Sequence, residues 1–195
     1  MKNSNIIDLK KERLKLYIEL ANKLNGDFAE VGVFKGESAE VLAHFKSHNK
    51  KLFLFDTFEG LPKVSIHDSM YKKGDFASSI KEIKEKLKLY NDVVIYKGYF
   101  PRQNFNFVKD KTFSLVHLDV KLYKSYRDCL SFFYPRMVKG GIIVFNDYLS
   151  IKSKGCYIAV TEFLKNKPEN TLWFSKPQAC IIKQNNIKKK STKKK

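Results

Sequence analysis

Stretches with apolar residues at helical spacing alternate along this chain with short apolar runs, and the switches between them lay out helices and strands in turn. Ile6, Leu9, Leu14, Tyr17, Ile18, Ala21 and Leu24 fall roughly along one helical face, and Asn25-Gly26 supplies the stop. Phe28 to Val33 is a short apolar run fit for a buried strand, interrupted only by Glu30. Gly32 and Gly36 break that run, and after Ser38 the residues Ala39, Val41, Leu42 and Phe45 resume at helical spacing. Leu52 to Phe55 predicts a second strand, ending on Asp56. Lys63 to Phe76 is polar and irregular, a loop of the length that often forms a lid or a binding segment. Ser78 or Ser79 caps an amphipathic helix that runs to Tyr90, with Ile80, Ile83, Leu87 and Tyr90 facing inward. Val93 to Tyr96 is a third strand closed by Lys97-Gly98, and a short helix comes after Pro101. Phe113 to Val120 predicts the fourth strand, Tyr126 to Met137 a helix, Gly141 to Phe145 the fifth strand and Ala159 to Leu164 a further helix. Thr171 to Phe174 and Gln178 to Ile182 close the pattern as two strands parted by Lys176-Pro177, in hairpin fashion.

Five strand–helix alternations imply an α/β fold built on a parallel sheet with helices on both faces. The closing strand pair has no room for a crossover helix, so one member must run antiparallel. Ligands in such sheets bind at the carboxyl ends of the strands. The first strand, its glycine turn and the next helix have the form of a nucleotide-binding entry, with small residues and an open helix N-terminus. Glu30 is the anomaly in it. A carboxylate in an apolar strand needs a cationic or hydrogen-bonding partner, whether it serves a ligand or caps something local. Asp56 ends the second strand about 20 residues past the glycine turn, where an acid can take ribose hydroxyls or cap the next backbone turn. Asp119 ends the fourth strand, and Asn146 and Asp147 end the fifth. Together these three bring oxygen donors to one rim, the kind of set that hard cations such as Mg²⁺ or Ca²⁺ take.

Composition narrows the class. A chain of 195 residues, 43% hydrophobic, suits one core and one domain over residues 1–182, with 1–25 as its N-terminal helix. No stretch reaches the length of a membrane span, and the charged N-terminus lacks the apolar core of a signal peptide. Cys129, Cys156 and Cys180 are odd in number and far apart, which suggests neither a disulfide framework nor a zinc site; a reducing cytoplasm is the default. The formal net charge is +18, and setting aside the seven lysines of residues 183–195 leaves +11 on the body. Such a tail is expected to be disordered, either as a solubilising end or as a loose contact for nucleic acid or an anionic surface.

Five blocks now carry a resemblance: Glu30-Val-Gly-Val-Phe-Lys-Gly-Glu-Ser38, Phe55-Asp-Thr-Phe-Glu-Gly-Leu-Pro62, Lys97-Gly-Tyr-Phe-Pro101, His117-Leu-Asp-Val-Lys-Leu-Tyr123 and the run from Tyr134 to Tyr148. In that order they resemble the macrocin-type (TylF/MycF) sugar O-methyltransferases over roughly Gly26 to Tyr148. The resemblance implies a Rossmann-like class I methyltransferase fold, its mostly parallel seven-stranded sheet closed by an antiparallel last strand. It implies S-adenosylmethionine (SAM) as methyl donor, Mg²⁺ as the usual helper, and a sugar hydroxyl or sugar-linked anionic group as acceptor. On this resemblance Glu30, Gly32, Gly36 and Ser38 line the methionine and ribose of SAM, Asp56 takes the ribose hydroxyls, and Gly98-Tyr99 lies near the adenine. Asp119, Asn146 and Asp147 take the metal positions. A homodimer is the expected assembly if the family's N-terminal lid or dimerising segment is kept, although little sequence precedes the first strand here and that segment is expected to be reduced.

Two departures stand out. Asn146 occupies a position where the family usually has an acid, which removes one negative charge from the metal set. Lys121 stands where the family's candidate general base, a second acid, is usual. A lysine at its ordinary pKa is a poor base, though burial beside a cation could depress it; otherwise it could hold an anionic group of the acceptor. His117 is a substitute base within reach in sequence, or else a core or supporting histidine. Asp119, Lys121 and His117 are therefore the candidate catalytic residues. The same features allow two rival functions: a SAM-binding module without turnover, acting through its basic tail, and an RNA methyltransferase, which the lack of Arg–aromatic clusters weakens.

Overall fold

The computed structural model describes residues 2–175 and 177–184, and its centre is one seven-stranded sheet. β1 (Asp27–Val31), β2 (Leu52–Asp56), β3 (Val93–Lys97), β4 (Phe113–Leu118) and β5 (Met137–Phe145) run parallel. α2 (Glu37–Phe45), α3 (Ile80–Leu87), α4 (Phe105–Val108) and α5 (Tyr123–Phe133) make the successive crossovers. α1 (Lys2–Asn22) precedes the sheet, and α6 (Lys154–Leu164) leads to β6 (Leu172–Ser175) and β7 (Gln178–Ile182). The spatial order is β3-β2-β1-β4-β5-β7-β6, with β7 antiparallel to both neighbours. As the pattern required, the short link between the last two strands forces that reversal. Strand order turns back between β1 and β4, which opens a crevice at their carboxyl ends.

Alternate residues of each strand feed two separate cores. Ala29, Val31, Phe53 and Phe55 pack with α5 and α6 through Tyr126, Cys129, Leu130, Phe133, Cys156 and Val160. Phe28, Leu52, Leu54 and Leu115 pack on the other face with α1, α2 and α3 through Leu14, Ile18, Ala21, Leu42, Ile83 and Leu87. The helix from Ser79 is capped as expected, its hydroxyl accepting from Glu82 N at 3.3 Å.

Several boundaries differ from the pattern, each for a local reason. α5 begins at Tyr123 instead of Tyr126, because the buried Asp68 caps its first turn by accepting from Tyr123 N at 2.9 Å. β5 begins at Met137 instead of Gly141 and passes through Gly140-Gly141 with a register shift against β4. Leu9 and Phe45, which share the apolar spacing of their helices, are 54% and 40% exposed. Lys183, expected to open the tail, is buried: its backbone pairs with Gly140 and Gly141, and its ammonium lies 3.9 Å from the Tyr134 ring centre. The rest of the Lys-rich tail beyond Gln184 lies outside the described residues. Among the described residues, no helix is long and apolar enough to cross a membrane.

Lys50 holds the entry to β1. It is 3% exposed, and its Nζ donates to Leu24 O and Gly26 O, both at 2.6 Å, and to Ser114 Oγ at 3.2 Å. Replacing it by methionine keeps the stem but takes the ammonium from Leu24 O and leaves Gly26 O with only its Ser114 Oγ donor, which should cost about 1–3 kcal/mol in urea unfolding.

Candidate active site

Four backbone segments meet at the crevice, and each is held in place by its own carboxylate or glycine. Gly32 follows β1 with φ +91°, and a Cβ there would lie 2.6 Å from Asp119 O, so only glycine lets the two strand ends come this close. Asp56 Oδ2 accepts from Val33 N at 2.7 Å and Phe34 N at 2.9 Å, and Oδ1 accepts from Phe58 N at 2.8 Å. Phe34 and Phe58 both have positive φ, 48° and 58°, a conformation that costs a bulky side chain. Asp56 thus holds two strained turns in place. A carboxylate has roughly four acceptor positions, so one stays available to a ligand hydroxyl.

The cleft beside it is walled by Phe55, Tyr99, Phe100, Val120 and Cys129, with Gly32, Asp56, Gly98, Asp119 and Lys121 on its polar side. The long loop closes over it. Leu61 N and Gly74 N staple the loop's two ends by bonds of 2.8 and 2.9 Å, and Tyr71 OH meets Ser153 Oγ at 2.6 Å. Phe76 sets its edge against Phe34 with centroids 5.6 Å apart, and both rings line the cleft.

Glu30 finds its partner in His117, its registered neighbour on β4. His117 Nδ1 lies 2.7 Å from Glu30 Oε1, both side chains are buried, and one proton bridges them. Burial pushes the Glu30 carboxyl up, against the pull of His117. For His117 burial works downward, but the Glu30 hydrogen bond and charge outweigh it and leave the ring raised. Both raised values mean that the native state binds protons more tightly than the unfolded chain. The pair's contribution to stability is complete below the ordinary values, 4.5 and 6.5, and fades as pH climbs through the raised native ones. Urea midpoints should therefore fall above about pH 6.5, and this slope should flatten in His117→Leu.

The expected metal set is arranged otherwise. Lys121 Nζ sits between Asp119 Oδ1 at 2.5 Å and Asp147 Oδ2 at 2.6 Å. Lys10 Nζ takes the other oxygen of Asp147 at 3.1 Å, and Gln178 Nε2 donates to Asn146 Oδ1 at 3.3 Å. Burial would lower the Lys121 ammonium, but the two carboxylates outweigh it and hold it above its ordinary value. Lys121 is thus a fixed cation and not the depressed-pKa base that the sequence left open. Asp147 is shifted the other way: burial would raise it, and Lys121 and Lys10 bring it down. A divalent cation needs these same oxygens at short range with no ammonium between them. The residues as placed do not fit one, so this arrangement lends no support to Mg²⁺ at Asp119, Asn146 and Asp147.

The expected cofactor residues divide. Gly32, Asp56, Gly98 and Tyr99 border the cleft, as do Asp119 and Lys121. Glu30 lies beneath it, against His117. Ser38 and His117 border a second cleft with Lys10, Asp119, Asn146 and Gln178. Gly36 borders neither; with φ +74° it starts α2, and a Cβ would press Ile83 Cδ1 at 3.1 Å. Sequence reading missed Lys10, whose role depends on α1 reaching the end of β5, and Phe76, the last residue of a mostly polar loop.

A glycine-turn strand, an acid ending β2, and a sheet of this order closed by an antiparallel strand define the class I O-methyltransferase fold. The structure of the O-methyltransferase NovP superposes with a TM-score of 0.79 over 89% of this chain and 79% of that one, at 20% identity. The family profile of macrocin O-methyltransferase (TylF) matches residues 11–171, and the chain belongs to that family. Two curated relatives are an 8-demethyl-8-(2,3-dimethoxy-alpha-L-rhamnosyl)-tetracenomycin-C 4'-O-methyltransferase of Streptomyces olivaceus and a demethyldecarbamoylnovobiocin O-methyltransferase of Streptomyces niveus. The first is 25% identical over 66% of this chain, the second 23% identical over 74%. The chain spans 55% and 60% of their lengths.

Proposed function

We propose that this protein is a SAM-dependent O-methyltransferase acting on a small polar acceptor, a sugar hydroxyl or a sugar-linked anionic group. The observation that carries the reading is the Asp119–Lys121–Asp147 cluster, whose Asp119 and Lys121 stand on the polar wall of an apolar cleft, in a chain of the macrocin O-methyltransferase family. The cleft suits the cofactor on its own terms. Phe55, Phe100, Val120 and Cys129 offer an apolar slot for a flat base, Asp56 offers an acceptor for ribose hydroxyls, and the Gly32 cradle admits backbone contact.

Bound there, SAM supplies a methyl group on a positively charged sulfur, which an acceptor oxygen displaces. The protein's own part is alignment and proton handling. Asp119 stands at the cleft wall with one carboxylate oxygen on Lys121 and the other available to an acceptor hydroxyl proton. Phe34 and Phe76 cover this side and keep water out. His117, tied to Glu30 through Nδ1, supports the strand ends that carry Asp119, and Gly98-Tyr99 borders the base end. The names of both curated relatives describe O-methyltransferases, one acting on a rhamnosyl compound, which supports a glycoside as acceptor.

The test is to incubate purified protein with SAM and a panel of glycosides and nucleotide-linked sugars, measuring S-adenosylhomocysteine. Product with a sugar acceptor is the expected result. The clamp on Lys121 also suits a binding module without turnover, and tight SAM binding in calorimetry with no product from any acceptor would decide for that reading.

A further inference from the structure

We infer that Lys121 is the site's built-in cation: its ammonium takes the place a divalent metal would occupy, so methyl transfer here is independent of metal. This rests on the methyltransferase reading and goes a step past it, to what holds the acceptor oxygen.

Asp119 and Asp147 come from the ends of β4 and β5, neighbouring strands whose carboxylates would repel each other without a cation between them. Lys121 supplies that cation from only two residues past Asp119. Its side chain is 15% exposed, its two carboxylate contacts are 2.5 and 2.6 Å, and the Phe76 ring lies 5.4 Å from Nζ on another side. Lys10 adds a second ammonium to Asp147. Two carboxylates thus face two ammonium groups, and the cluster is neutral before any ion arrives. Asn146, which carries no charge, already accepts from Gln178. The two departures read from the sequence, Lys121 and Asn146, both adjoin Asp147: Lys121 pairs with its carboxylate, and Asn146 precedes it in the chain.

An ammonium has three donors. Asp119 and Asp147 use two, and the third serves an acceptor oxygen at the cleft wall that Lys121 lines. In that position Lys121 orients the oxygen as a metal would, while the neighbouring oxygen of Asp119 receives the proton. The balance closes within this set: the methyl–sulfur bond breaks, an oxygen–methyl bond forms, neutral S-adenosylhomocysteine leaves, and the hydroxyl proton passes to Asp119 and then to solvent. A cation that cannot dissociate also cannot be chelated away.

The experiment titrates Mn²⁺ into the full chain and reads free Mn²⁺ by electron paramagnetic resonance, with SAM calorimetry in parallel. The wild type should leave Mn²⁺ unbound at about millimolar concentration, and turnover should be equal in EDTA and in added Mg²⁺. Lys121→Asp should bind Mn²⁺ at least about tenfold more tightly, because it exchanges a cation for a ligand on the same spot. Lys121→Gln, which keeps bulk and a donor, should lose turnover in EDTA while still binding SAM. Tight Mn²⁺ binding by the wild type, or turnover that EDTA abolishes, overturns the inference, and neither result depends on any variant folding. The Mn²⁺ arm needs no turnover, so a failure to bind SAM overturns the methyltransferase reading and not the exclusion of metal.

Discussion

Asp119→Asn should lower kcat by about 10²–10⁴ while leaving the Kd for SAM nearly unchanged. The substitution keeps an acceptor for the Lys121 ammonium, since the amide oxygen can replace Oδ1, and it keeps the shape of the cleft wall. What it removes is the capacity to take a proton. An aliphatic hydroxyl holds its proton at neutral pH and is a weak nucleophile until that proton has somewhere to go. Single-turnover rates with saturating SAM measure the chemical step, and calorimetry measures cofactor binding separately. An undiminished single-turnover rate would remove Asp119 from proton transfer and point to an acceptor that is already anionic, so the magnitude also sorts the two acceptor classes.

Glu30→Leu should destabilise the fold by about 3–5 kcal/mol, the range for removing one partner of a buried charged pair. Glu30 is fully buried and His117 is 2% exposed, on adjoining strands at the middle of the sheet. Without Glu30, the buried imidazole Nδ1 loses its hydrogen-bond partner, and Nε2 already lacks one among the described residues. The double variant Glu30→Leu/His117→Leu should recover most of the loss, because it removes both polar groups together. Urea unfolding of the two single variants and the double, compared as a cycle, measures the coupling. Additive losses would show that the pair is not what holds β1 against β4.

The two predictions separate chemistry from framework, and the sequence was legible to different depths for each. The framework was open to reading because every strand is a short apolar run with a glycine or polar stop, and each helix shows its face. Where boundaries moved, a long-range contact was responsible. Asp68 reaches across from the loop to start α5 early, and β5 extends through two glycines because β4 offers it a ladder. Neither signal is local, so neither could be read locally. Lys183 is of the same kind: a tail residue by composition, a packed one by virtue of Glu169 and Tyr134.

For the site, the sequence by itself determined which residues stand at the strand ends: Glu30 within β1, then Asp56, Asp119, Asn146 and Asp147. Short apolar runs with glycine or polar stops leave few other placements, and the order of blocks came from them. Only the tertiary structure decided who partners whom. It set His117 opposite Glu30 through the β1–β4 register, turned Asp56 toward the backbone of two strained phenylalanine turns, and laid Lys10 of α1 against the end of β5. Above all it put the Lys121 ammonium between Asp119 and Asp147. A sequence records that a charge was exchanged, but the energy of a charge depends on distance and on what surrounds it, and both are properties of the folded chain.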